Sequence, residues 1–525
     1  MDKKQTIKER YEQQTRDRSQ YIDRSQRYSQ LTIPYVCQDK GETGKGRDGS
    51  SDTNELGWQS FGAQAVNNLS NKMDTTLFPP QRSFFRLEFS NKAKRALRDA
   101  GVESDRLSPA LSKIEGAALA EQGQILPRNM SVLSFKHLII TGNALLYAPN
   151  NKPFSVYGLR SYTVRRDYSG NVLEVILCQK TAFSNIPMDK REQVRQAYKQ
   201  PSQVKDDTQV ELYTQALVKG DGKYKISQEA EGVLIGPVYS VKQEDLPFRV
   251  LVWNLNPGEH YGRGLAEDYA GDLYVIAFLS EAVAKGMVLM SDIKYLVKPN
   301  SYTDLDHLVN SPTGEFVTGN IDDIGVLQLE RYADFTPIQA VIEKYQQRVG
   351  EAFLLTRAIR RDAERVTAYE IQRDAQDLEA SLGGVYSHFA ETYQKPLAQQ
   401  ATKRAIKVLG ELIPGHNFSD ALLAPQILTG IEALGRMNEL DKIMQFGEML
   451  QATNAWPQSM QQRVKWDVYC NKVASQLSLE IDWVMSDQEY QQLMAAQQRQ
   501  MQEQTLLEGA AKAIPDAAKG AMNGR

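Results

Sequence analysis

Between Tyr261 and Tyr386 the chain sets two long apolar-striped segments on either side of a stretch too rich in proline and glycine to be helical. This order constrains the fold more than any other feature of the sequence. The first segment carries Leu265, Tyr269, Leu273, Ile276, Val283 and Met287 at helical spacing, which predicts one helix to about Ser291. Pro299, Pro312, Gly314, Gly319 and Gly325 then interrupt any helix, while FVTG and GVLQLE supply short strands, so an irregular excursion is expected over 293–335. The second segment begins beside Pro337 and places Ile338, Ile342, Tyr345, Val349 and Phe353 at alternating steps of four and three. Over 337–360 it would span about 36 Å. Thr367 to Glu370 matches a capping box, so a further helix is expected to run from Thr367 through Ile371, Ala375, Leu378, Leu382, Val385 and Phe389, bending at Gly383, Gly384 and Pro396. Few globular enzymes need so extended a seam; it points to self-assembly.

The flanking regions read as mixed α and β. Residues 3–30 are highly polar with thinly spaced Ile7, Tyr11, Ile22 and Tyr28, a solvated helix whose narrow stripe alone would not hold it in place. Pro34 ends it, Gly41 to Thr53 is a polar loop, and a second helix is expected from about Leu56 to Leu77, stopped by Pro79 and Pro80. FFRLEF reads as a strand, followed by helical segments near 92–122 and 129–141. Short β-prone runs recur at Ala144–Ala148, Ser161–Arg166, Val172–Gln179, Val210–Val218 and Tyr224–Leu234, so 144–255 is expected to be a small, largely antiparallel β region. Residues 420–485 read as shorter helices, and the Gln-, Ala- and Gly-rich chain after Ser486 as a partly disordered tail.

Composition excludes several classes. Hydrophobic residues at 41% and charged residues at 24% suit a soluble globular protein, and a formal charge of -3 leaves no global basic field for nucleic acid, so any DNA contact must be local. Three cysteines far apart, Cys37, Cys178 and Cys470, encode neither a disulfide framework nor a zinc site, and a reducing compartment is expected. The N-terminus lacks the apolar core of a signal peptide. Glu281 and Lys285 interrupt the most apolar run, Leu273 to Met290, which reads as a packed helix instead of a membrane span. Gly44 to Gly49 formally matches a dinucleotide-binding turn, but Ser50 to Asn54 prolong a polar loop where a helix must begin. Arg47 and Asp48 stand where a phosphate-binding loop needs Lys and Ser or Thr. The histidines His137, His260, His307, His388 and His416 are scattered, and no catalytic elbow or metal motif appears. No catalytic residue, metal or cofactor is therefore expected.

One basic cluster is better placed. Arg357, Arg360, Arg361 and Arg365 share a helical face if the second long helix persists that far. Repeated around an assembly, they would face a phosphate backbone; pairing with Glu351, Asp362 and Glu364 is the competing reading, and the two are compatible.

YGRGLAEDYAGDL at 261–273, FVTGNIDDIGVLQLERYADFT at 316–336, ERVTAYEI at 364–371 and LGGVYS at 382–387 closely resemble portal proteins, the head-to-tail connectors of short-tailed, podovirus-type bacteriophages related to coliphage T-seven. WQSFGAQAVNNLSNKM at 58–73, TGNALLY at 141–147, RDYSGNVLE at 166–174 and ILTGIEALGR at 427–436 extend the resemblance, in order, over most of the chain. The resemblance implies an α+β, mainly helical portal fold assembled as a homododecameric ring. Its parts would be a wing region over 1–262, stem helices over 263–292 and 336–356, a clip over 293–335 and a tunnel loop over 357–366. A long bent wing/crown helix over 367–412, a helical crown over 413–485 and a C-terminal tail over 486–525 would follow.

The resemblance further implies a DNA channel at one capsid vertex, serving packaging by a separate terminase motor, genome retention, tail attachment and ejection. Implied partners are major capsid and scaffolding proteins, the terminase large subunit, tail adaptor or tail tube proteins, internal core proteins and double-stranded DNA contacted transiently, without membrane insertion. The implied location is the portal vertex of the virion, after assembly in the cytoplasm of the infected bacterium. Lys294, Lys298 and the four arginines are the expected channel contacts, and sliding DNA favours such limited basic rings over tight phosphate binding.

Overall fold

The alternating stretches between residues 143 and 252 fold into two antiparallel sheets. The structure, a computed structural model, describes residues 5–37, 58–79, 84–89, 108–149, 152–291, 335–355 and 384–412, with shorter pieces that include 294–297, 324–327 and 425–429. It is a mixed helix and sheet protein of two compact units, the first built from 1–82, 123–366 and 374–396, the second from 83–122, 367–373 and 397–525.

In the first unit a meander of five strands runs Tyr162–Arg166, Val172–Ala182, Gln209–Val218, Tyr224–Ala230 and Val233–Val241 in spatial order. A three-stranded sheet places Asn143–Tyr147 between Ser155–Tyr157 and Phe248–Val252. The run expected as one strand from Tyr224 to Leu234 is two strands, because Glu231 and Gly232 both take positive φ, 46° and 80°, the geometry of a two-residue hairpin turn. A helix, Met188–Ala197, also interrupts the region; Val194 is its one buried residue, too little for a periodic signal.

The period of two divides the five-stranded sheet chemically. Val175, Leu177, Ala216, Tyr224 and Ile226 share a core with Leu145, Tyr147, Phe248 and Tyr261. Their neighbours Glu174, Ile176, Tyr213, Gln215 and Glu229 are also buried, and the N-terminal helix Ile7–Gln30 touches every one of them except Gln215, which bonds to Glu174. Thr6 and Glu9 form a reciprocal capping box at the start of that helix, typically worth about 1 kcal/mol. The helix is fastened mainly by polar groups that its weak apolar stripe did not announce.

Helix Arg128–Thr141 ends in Gly142 at φ 73°, whose N–H reaches the Leu138 carbonyl. Gly142, Gly262 and Gly264 let two chain segments meet at backbone distance; a Cβ on Gly264 would lie 2.6 Å from the Ile139 oxygen. Below this contact Phe78, Phe135, Phe389, Tyr393 and Trp253 form a chain of edge-on and tilted rings. The expected bend near Pro396 takes the form of a π-turn, Ala390–Gln394, preceding helix Lys395–Leu412; Lys395 N–H bonds back to the Ala390 carbonyl. Gly384, at φ 88°, marks the start of Val385–Phe389.

The second unit pairs Phe85–Phe89 with Pro425–Thr429, Leu87 opposite Ile427. This corrects the expectation of helices alone over 420–485: a strand in FFRLEF needs a partner ladder, and ILT supplies β-branched residues for it. Phe85 and Leu87 are buried, and the Leu87 N–H reaches Glu115 on helix Ser108–Ile125. Helix Lys395–Leu412 buries Leu397, Ala398, Ala401, Thr402 and Ala405, one face at helical spacing. The 41–53 loop, the helix start at Thr367 and almost all of the tail after Ser486 lie outside the described residues.

Candidate assembly surface and channel residues

The two long segments of the sequence appear as helices Ala270–Ser291 and Phe335–Ala352, packed on each other within the first unit. Leu273 and Ile276 on one and Val349 on the other are fully buried. The Tyr269 and Phe353 rings meet edge-on at 5.9 Å, and Arg348 Nη1 lies 3.3 Å from Asp272 Oδ1. That ion pair is half exposed and adds little beyond orientation.

Two boundaries differ from expectation. The first segment breaks at Tyr269, where a short turn of helix, Leu265–Asp268, stops before Ala270. Glu267 on that turn is held by Arg24 and Arg263 at 3.3 and 3.0 Å, which sets it apart from the long helix. The second helix ends at Ala352 and does not reach residue 360. Leu354 is left-handed at φ 55°, and Asn68 Nδ2 donates to the carbonyls of Phe353 and Leu354 at 3.3 and 3.2 Å, so tertiary hydrogen bonds close the helix early.

Ala270–Ser291 is apolar nearly all round, so one partner cannot cover it. Tyr274, Phe278 and Val288 are 62%, 56% and 67% exposed, at spacings that put them with Glu281 and Lys285 on one stripe. The Tyr274 and Phe278 rings stack at 6.3 Å with 13° between planes. Glu281 and Lys285 pair within the stripe, and the Lys285 ammonium lies 5.8 Å above the Trp58 ring. Met287, assigned by its spacing to the buried stripe, is 60% exposed. Val341 on the neighbouring helix is exposed too. Sequence reasoning chose the inward stripe and missed this outward one; the signal was present as Tyr274, Phe278 and Val288 on a second face at helical spacing, with Glu281 and Lys285 between them.

Of the expected channel residues, Lys294 opens strand Lys294–Val297, which pairs antiparallel with Ile324–Leu327, Lys294 opposite Leu327. The FVTG strand lies outside the described residues, as do Lys298, Arg357, Arg360, Arg361 and Arg365. The second helix ends at Ala352, before the four arginines, and the face they were expected to share lies outside the described residues.

Among the described residues, His137, His260 and His388 do not converge on a site. His137 is buried under Gly158 and burial holds it neutral, its pKa pushed down to about 4. His260 Nδ1 accepts from the Arg166 N–H at 3.3 Å, and His388 Nε2 donates to the Val252 carbonyl at 3.1 Å. Among the described residues no group of His, Cys, Asp and Glu could hold a metal ion, and no helix is long and apolar enough to cross a membrane.

The sequence pattern of one family, described as bacteriophage head to tail connecting protein, matches residues 4–484 of this chain. The chain belongs to that family of head-to-tail connectors. Among its relatives, the portal protein of Enterobacteria phage SP6 is 44% identical over 507 residues, covering 96% of this chain and 95% of that one. The portal protein of Escherichia phage T7 is 34% identical, covering 94% and 90%. Among solved structures, the neck of an empty GTA particle covers 79% of this chain and 93% of that one at 11% identity, with a TM-score of 0.34, a likeness too slight to build on. These connector relatives are portal proteins.

Proposed function

We propose that the chain assembles with copies of itself into a closed ring, a homododecamer, that forms the DNA channel at one capsid vertex. The observation that carries this reading is the outward stripe of Tyr274, Phe278 and Val288 on a helix whose opposite face is already packed. In water an aromatic stripe of this kind is a surface made to be covered. A neighbour that presents the outer face of its Phe335–Ala352 helix, including Val341, is the occupant in our reading. Because the donor and acceptor surfaces differ, the contact is head-to-tail and propagates until it closes.

On this reading 1–262 is the wing, 263–292 and 336–356 are stem helices, 293–335 is the clip and 357–366 the tunnel loop. The long bent 367–412 segment joins wing and crown, 413–485 forms the crown, and 486–525 is the tail. The clip meets the terminase motor during packaging and the tail adaptor afterwards; the wing meets capsid and scaffolding proteins, and the crown meets internal core proteins. The ring conducts, retains and releases double-stranded DNA without bond chemistry of its own, and Lys294, Lys298, Arg357, Arg360, Arg361 and Arg365 supply the sliding contacts. Assembly takes place in the cytoplasm of the infected bacterium.

Electron microscopy of the purified chain tests the ring. Round particles with a central hole and twelvefold rotational averaging are expected; a field of elongated monomers at micromolar concentration overturns the proposal.

A further inference from the structure

The N-terminal helix lies on the five-stranded sheet by an unusual set of contacts. Glu174, almost fully buried, accepts both Arg10 Nε and Nη2 at 2.8 and 2.6 Å, Gln14 Nε2 at 2.8 Å and the Gln215 side chain. Glu229 accepts the first free N–H groups of the helix, from Ile7 and Lys8, at 2.9 and 3.3 Å. Two carboxylates of the sheet therefore clip the helix near its start.

Its middle is held by a different set of contacts, in which Arg24 pairs with Glu267 at 3.3 Å but Arg18 has no carboxylate. Arg18 is 2% exposed, and its guanidinium donates to the carbonyls of Leu159, Tyr162 and Arg160, with no carboxylate at ion-pair distance among the described residues. Its Nε has no hydrogen-bond partner. Besides these carbonyls it meets only Thr15 Oγ1 and the Tyr11 ring of its own helix, so it recovers less of its hydration energy than a cation paired with a carboxylate. Beside it a cavity of about 150 Å³ separates Arg10, Gln14 and Asp17 of the helix from Val164, Arg165 and Tyr261 of the body.

The sheet does not depend on the helix for its core. Its main apolar cluster lies on the opposite face, and Tyr21 and Ile22 are the helix side chains that touch it. At the far end the turn after Gln30 is fastened independently. Gln59 Nε2 donates to the Leu31 carbonyl at 2.7 Å, Gly62 sits directly against that oxygen, and Arg160 Nε donates to the Cys37 carbonyl at 3.4 Å.

We propose that helix Ile7–Gln30 is a strap that undocks as one unit while the sheet stays folded, pivoting on the fastened turn at Leu31–Cys37 and baring the sheet face of Glu174, Ile176, Cys178, Tyr213 and Glu229. The carboxylate clip closes it together with the Arg24–Glu267 pair, and Arg18, buried without a carboxylate partner, lowers the cost of release.

Native-state hydrogen exchange on the full chain tests this. The amides of 7–30 are expected to exchange together through an opening that leaves strands Val172–Ala182 and Gln209–Val218 protected. Glu174→Gln should speed exchange of the helix about tenfold or more without altering the strands, since it removes charge-assisted bonds. Arg18→Met should slow it. Labelling of the Cys178 thiol, packed beside Ile7 and Tyr11, should follow the helix, while Cys37, buried within the turn that stays fastened, serves as the control. If Glu174→Gln does not fold, the wild-type comparison of helix and strands decides alone. Helix and strand amides opening together, or Cys178 and Cys37 labelling in step, overturns the strap; faster exchange in Arg18→Met overturns the role given to Arg18.

Discussion

Gly264 and His137 show how much a single position depends on what lies across from it. In the sequence Gly264 is one of two glycines in YGRG, and nothing local demands it. In the fold a Cβ there would meet Ile139 O, Gly142 N and Ile140 O, all below 3.0 Å and all backbone. Gly264→Ala is therefore expected to cost about 1–3 kcal/mol through overpacking, seen as a lowered midpoint in denaturant with an unchanged slope. His137 was one of five scattered histidines; burial without a partner for Nδ1 makes it a core residue. Its folded pKa of about 4 lies below the unfolded value, so its contribution is complete above about pH 6.5 and is lost as pH falls towards 4. The size is of the order of 3 kcal/mol at most. His137→Gln should flatten thermal stability between pH 6.5 and 4, and an unchanged pH profile would show that another group controls that range.

Among the elements, the strands and long helices were largely legible because period two and period 3.6 are local. Their ends were not. The second long helix stops at Ala352 because Asn68, some 285 residues earlier in the chain, bonds the next carbonyls, and no window around 352 contains that information. The same holds for the outward stripe of the first helix. Spacing finds every apolar face, but which face is already covered is decided by the neighbouring helix. Phe278→Asp should leave secondary structure and melting of the single chain nearly unchanged, because the residue is more than half exposed, yet block association. Light scattering coupled to size exclusion distinguishes the outcomes: assembly surviving in Phe278→Asp removes this stripe from the interface. The N-terminal helix gives the reverse case. Its apolar stripe understated its attachment, since Glu174 and Glu229 reach it from strands far along the chain.

For the whole molecule, family membership rests on similarity along nearly the full chain and the α+β class on the fold, whereas ring formation and passage of DNA rest on surfaces. With a formal charge of -3 the chain has no overall attraction for DNA, so local cations must act if the channel contacts it. Reversing the charges of Arg360 and Arg361 together should leave rings intact by microscopy but lower packaging or genome retention. Packaging equal to wild type would remove these arginines from the channel, and loss of the rings would instead assign them to the contacts with Glu351, Asp362 and Glu364.

The order of the segments between Tyr261 and Tyr386, the antiparallel β region and the connector family were all determined by the sequence itself, because each is written in local periodicity or in collinear motifs. Tertiary structure alone decided that Tyr274, Phe278 and Val288 face outward, that Pro425–Thr429 completes a sheet with Phe85–Phe89, and that buried carboxylates hold a polar helix. The physical reason is common to all three: pairing, burial and charge compensation are properties of groups brought together from distant parts of the chain, and a residue's own neighbours in sequence carry no record of them.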